Sequence, residues 1–143
     1  MANQNPQPSM LTARFNITGA PTTYAVGTTF TQTITTQQAY NEVIYVYGLN
    51  VQALLDAGST TIGAQDDQWD IQITSGPNSV PTNDFSFEYI YDRQDKTLAF
   101  SSPIVVTHRQ PLQVHLERTG NGAAIAADLT VIVNLIGELV VMA

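Results

Sequence analysis

Apolar and polar residues alternate with a period of two along most of this chain. Leu11, Ala13, Phe15 and Ile17 share one parity and stop at Gly19-Ala20-Pro21. Phe30 and Ile34 punctuate a threonine-rich run over 28–36, and 43–47 is a dense apolar and aromatic run closed by Gly48. Trp69, Ile71 and Ile73 alternate up to Ser75-Gly76-Pro77-Asn78. Phe85, Phe87, Tyr89 and Tyr91 read as the most aromatic strand, followed by an Asp92-Arg93-Gln94-Asp95 turn and a return through Leu98 and Phe100. Leu112, Val114 and Leu116 form a further strand, and after Gly120-Asn121-Gly122 comes the run Leu129, Val131, Val133, Leu135. Successive side chains of a strand point to opposite faces, so each of these runs has one face to bury. One short helix is expected over 50–58, with Asn50 as cap, Val51, Leu54 and Leu55 as an i, i+3, i+4 stripe, and Gly58 as the left-handed stop.

Eight or nine short strands with turn signals between them, and no alternation of strand and helix, predict an all-β, antiparallel sandwich. The expected core is Phe15, Ile34, Ile44, Val46, Ile71, Phe87, Leu98, Val114, Leu116, Leu129, Val131 and Val133. Residues 1–10 lack periodicity and hold Pro6 and Pro8, so they read as a flexible amino-terminal arm that orders only on a partner. Residues 11–143 then make one domain. In 137–143, Leu139, Val140, Val141 and Met142 are apolar without interruption. A strand greasy on both faces belongs at a subunit interface or across the middle of its own sandwich, and the interface is the expectation.

Composition sharpens this picture. Charged residues are 12% of the chain, against about 25% in a typical soluble domain, so Thr, Gln, Asn and Ser must cover the surface. The net charge is -7 and the five basic residues are scattered, which argues against a nucleic-acid partner. No window supplies the roughly 20 apolar residues of a membrane span. There are no cysteines. The first ten residues have neither a basic nor an apolar signal region, so no signal peptide is expected and synthesis in a cytoplasm is the expectation.

Candidate chemistry is thin. Asp66, Asp67 and Asp70 could offer oxygen ligands to calcium, but the glycine and glutamate register of an EF-hand loop is missing, and a solvated acidic loop is the preferred account. His108 and His115 are too few for zinc without carboxylates, and His115 falls on the polar parity of its strand. Glu88, Asp92 and Glu117 could pair as carboxylates only if folding brings them together. No nucleophile elbow, phosphate loop or dinucleotide fingerprint occurs. Asn16-Ile17-Thr18 has the glycosylation pattern, which signifies nothing without a signal peptide. No catalytic, metal or cofactor residue is therefore expected, and the chain does not read as an enzyme. Trp69, Tyr45, Tyr47, Tyr89 and Tyr91 suit either a platform for sugar rings or ordinary core and rim packing with the polar tip wet. A subunit contact is preferred for Tyr45 and Tyr47, whose parity is opposite to that of Ile44 and Val46. Trp69, Tyr89 and Tyr91 remain the alternative sugar platform.

The terminal pattern resembles the closing strands of small jelly-roll β-sandwich virion proteins of bacteriophages. It consists of Ser102-Pro103 with Ile104-Val105-Val106, then Pro111 to Thr119, then the Gly-Asn-Gly turn into the run from Leu129 to Gly137. The polar arm is similar to theirs as well. The resemblance implies a non-enzymatic accessory, decorating or vertex protein of a particle, partnered by itself as a homo-oligomer and by other virion proteins. The lack of a basic arm points away from genome contact. Candidate interface residues are Asn3, Pro6, Pro8, Tyr45, Tyr47, Leu139, Val140 and Met142. The alternative is a carbohydrate-binding sandwich used in host attachment.

Overall fold

Stiff or flat side chains at alternate positions favour a pleated surface, and the chain folds accordingly. The computed structural model describes residues 6–19, 23–36, 38–55, 68–75, 78–79, 85–120, 125 and 127–142. Among them are nine strands and one short helix. They run β1 (Gln7–Ile17), β2 (Thr29–Ile34), β3 (Glu42–Leu55), β4 (Trp69–Ser75), β5 (Asn78–Ser79), β6 (Phe85–Ser86), α1 (Phe87–Tyr91), β7 (Thr97–Val106), β8 (Leu112–Arg118) and β9 (Leu129–Val141).

All pairings are antiparallel and fall into two sheets. The first has the order β1-β9-β3-β7; the second has β2-β8-β4, with β5 and β6 both pairing along the far edge of β4. Setting aside the two-residue β5, the remaining eight strands counted in chain order run 1-8-3-6 and 2-7-4-5. That is the jelly-roll order, two Greek keys closed on each other. The expected all-β sandwich of jelly-roll type is the fold observed.

The core lies between the sheets and follows the alternation. Phe15, Ile44, Val46, Ile71, Phe87, Val114, Leu116, Leu129, Val131 and Val133 are buried, and each such side chain contributes about 1.5–3 kcal/mol by leaving water. Ile34 and Leu98 pack on this core but stay half-buried, because each sits on an outermost strand of its sheet. The bulk is completed by Trp69, Leu49, Val51 and Ile104.

Three local expectations are overturned. The helix expected over 50–58 is absent from its described part, since residues 42–55 form one strand. Leu49, Val51 and Ala53 take its buried parity, and Asn50 bonds across the sheet instead of capping a helix. The aromatic strand through Phe87, Tyr89 and Tyr91 is instead β6 followed by α1. The Ser86 hydroxyl accepts from the Tyr89 N–H as N-cap, and burial of Phe87 and Ile90 follows a helical i, i+3 spacing. Finally, β1 begins at Gln7, inside the expected arm, because β9 extends far enough to pair Gln7 with Leu139 and Met10 with Ile136.

The carboxyl-terminal segment continues an interior strand of the first sheet. β9 is an interior strand flanked by β1 and β3, so its backbone is paired on both sides through most of its length. Leu139 packs against the core, while Val140 and Val141 are half-buried. A register shift between Val46 and Gly48 makes Tyr47 an extra residue opposite β9. The sheet stays closed there because Gly48 and Gly137 lack side chains. A Cβ on Gly137 would overlap the Tyr45 carbonyl, and one on Gly48 would lie 2.6 Å from the Leu98 carbonyl oxygen.

Candidate interaction surface

Each sheet turns one face to the core and one outward, and the two outward faces differ in chemistry. On the second sheet the outward positions of the long strands are all polar. Thr31, His115 and Thr74 form a bonded row, with 2.8 Å to Nδ1 and 3.3 Å to Nε2 of the imidazole. Gln113 and Thr33 make a second row, and Gln72 donates to Glu117 at 3.3 Å. A face so saturated with its own hydrogen bonds and with water-facing polar groups is a solvent face.

The outward face of the first sheet carries Met10, Tyr47, Leu54, Val105 and Ile136. These are five of the nine large apolar side chains exposed among the described residues. Met10 is 65% exposed and lies directly opposite Ile136 in the β1–β9 register. Tyr45 and Tyr47 stack with ring centroids 6.5 Å apart beside them. A face of this kind costs free energy in water unless something covers it.

Across the middle of this face runs a polar row that satisfies itself. Thr12 donates to the Asn134 carbonyl oxygen at 2.9 Å, Asn134 donates to Asn50 at 3.4 Å, and Asn50 donates to Thr97 Oγ1 at 3.3 Å and to the Lys96 carbonyl at 3.2 Å. Four neighbouring strands each contribute one residue or more. Asn134 is buried although it faces outward.

The face has one cation and one anion among the described residues, Arg14 on β1 and Glu138 on β9. Partial desolvation holds the Tyr47 phenol above its ordinary value of 10.0. The charge of Glu138, the hydrogen bond its carboxylate accepts from that phenol, and Tyr45 push in the same direction.

The residues singled out from sequence scatter. Tyr45 and Tyr47 lie on this face, and Pro8 is exposed on β1 beside it. Leu139 points inward to the core. Met142 follows β9, its N–H donating to the Asn41 carbonyl at 2.7 Å, and lines a shallow cleft of about 640 Å³ with Tyr40 and His108. Pro6 is exposed just before β1, and Asn3 lies outside the described residues. Trp69 is 1% exposed, enclosed by Tyr24, Phe30 and Arg118, so it presents no face to a sugar. Tyr89 is exposed near Arg93, whereas Tyr91 stacks on Phe87 under the Lys96 ammonium, 3.9 Å from its centroid. The three aromatics do not form a platform.

Asp66 and Asp67 lie outside the described residues; Asp70 stands on β4 opposite Ser86 and Glu117. Glu117 sits on β8, and Glu88 and Asp92 sit at either end of α1. No three His, Asp or Glu side chains converge among the described residues. No described helix is long and apolar enough to cross a membrane.

Met10, Ile136, Leu54, Val105, Arg14 and Glu138 escaped the sequence reading as members of one surface. Their parity is readable, but parity alone cannot bring β1, β3, β7 and β9 side by side, and Met10 falls within the stretch whose sequence reads as an arm.

No family model matches this sequence, and no curated protein matches it. Among solved structures the chain is similar to dimeric latent PorU from Porphyromonas gingivalis, at 12% identity and a TM-score of 0.36. The match covers 93% of this chain and 13% of that one. A likeness at that level does not define a shared fold.

Proposed function

We infer that the chain is a non-enzymatic structural protein of a virus particle, working through protein contacts made by the outward face of its first sheet. The observation that carries this reading is the contrast between its two outward faces, one wholly polar along its long strands and one carrying Met10, Tyr47, Leu54, Val105 and Ile136. A jelly roll is also an architecture of capsid proteins, although lectins and cupins share it. The resemblance of the closing strands to phage virion proteins selects among these. The partners so implied are further copies of the chain and other virion proteins, and the location is the particle.

An antibody against the recombinant chain tests this in gradient fractions from cells that produce it. A fixed copy number per particle, resistant to washing at moderate salt, is the expected result. Recovery in free protein fractions alone would count against a virion role.

A further inference from the structure

The partner of this face can be named from its own chemistry. We propose that it is a second copy of this chain, packed face to face about a two-fold axis that crosses the strands at the Asn134 row. The proposal rests on the reading of the chain as a contact-forming protein and specifies the contact.

Size is the first argument. Strands of 10–14 residues give a face about 40 Å long and about 19 Å across four strands, or about 750 Å². Each partner of a standard stable interface buries about 800 Å².

Charge is the second. The chain has a net charge of -7, so two copies repel over most of their surface. This face is neutral, with Arg14 balancing Glu138 among its described residues. Arg14 pairs in register with Ile132, six residues from Glu138 along β9, which is about 20 Å. They cannot meet within one copy, and neither has an ion-pair partner among the described residues.

A two-fold across the strands reverses the strand direction of the second copy. Arg14 of each copy then comes beside Glu138 of the other, one strand across and two residues along, within reach of two extended side chains. The contact forms twice, as an isologous interface requires. Glu138 has a second carboxylate oxygen besides the one that serves Tyr47. An axis along the strands would keep Arg14 and Glu138 at different levels and pair neither.

Packing and polarity agree with this axis. Ile136 of one copy lies over Ile132 of the other, and Tyr45 lies over Leu54. The Thr12-Asn134-Asn50-Thr97 row falls on the axis with its donors and acceptors already matched, so covering it orphans no buried group.

The test is a charge swap on the full chain, read by sedimentation equilibrium. R14E and E138R should each weaken self-association at least about tenfold, with the subunit still melting cooperatively because neither side chain is buried in the core. The double variant should regain wild-type association. An equimolar mixture of the two single variants should form a heterodimer, since each then supplies what the other lacks. I136K, which needs no charge partner, should also dissociate the dimer. Association that survives all of these places the contact elsewhere and overturns the proposal while leaving a contact protein intact. A wild-type chain that stays monomeric at every concentration also overturns it, and the particle assay then decides the broader reading by itself.

Discussion

Tyr47 and Glu138 show how one pair of side chains reports on the exposed sheet. The Tyr47 phenol titrates above its ordinary value, with desolvation and the Glu138 carboxylate as the leading causes. Glu138→Gln removes the charge, so the tyrosinate midpoint read by ultraviolet absorbance should move down toward 10.0. A raised folded-state pKa adds stability that is present below the unfolded value and lost as pH rises through the folded one. The wild-type fold should therefore lose this contribution only in the alkaline range, and the variant should lose less there. A midpoint that ignores the substitution would mean the carboxylate does not reach the phenol. Asn134 sets a second residue-scale expectation. Asn134→Leu leaves Thr12 and Asn50 without their cross-strand partner and should cost about 1 kcal/mol in thermal or denaturant melts. The figure is at the low end because Thr12 is exposed and can bond to water instead.

The elements divide into those whose periodicity was unambiguous and those too short to decide. In β1, β4 and β8 the strict alternation of Phe15, Ile71 and Leu116 with polar neighbours leaves one choice of face, and that choice is the buried one. Over five residues, however, a period of two and a period of 3.6 make overlapping demands. Phe87 and Tyr91 satisfy both, and only the Ser86 cap and the burial of Ile90 select the helix. Ser86→Ala should accordingly cost about 1 kcal/mol. An unchanged melt would show that α1 is held by packing alone. At residues 50–55 the reverse holds, for Leu54 and Leu55 suggested a stripe while tertiary pairing with β9 drew the segment into a strand. The candidate surface was the least legible part, because which strands become neighbours depends on topology and not on local pattern. Topology also explains Gly137, where β9 meets the register shift of β3. Gly137→Ala would drive a Cβ into the Tyr45 carbonyl and should destabilise the fold by about 1–3 kcal/mol.

At the scale of the whole molecule, strands far apart in the chain pair in one sheet, with β1 at its edge and β9 in its interior. β9 lies between β1 and β3 and supplies the backbone partners of β1. The pairing of Ile17 with Leu129 closes a loop of more than a hundred residues, and such long-range pairing must bear its entropy before any contact offsets it. Two consequences follow for a chain of this topology. Refolding should be slow for its size, in the range of milliseconds to seconds by stopped-flow fluorescence of Trp69, which is buried in the folded chain. More decisively, no stable part should exist without β9. Ending the chain at residue 128 strips β1 of its strand partner among the described residues, leaves β3 paired with β7, and uncovers Phe15 and Val51 at once. Such a truncation should show no cooperative thermal transition and should gain dye-binding apolar surface. Replacing Val140 and Met142 by Lys, by contrast, touches half-buried and exposed positions at the end of the same strand and should leave the melt nearly intact. If the truncated chain melted cooperatively, the closure of the first sheet by its terminal strands could not be what holds the fold together.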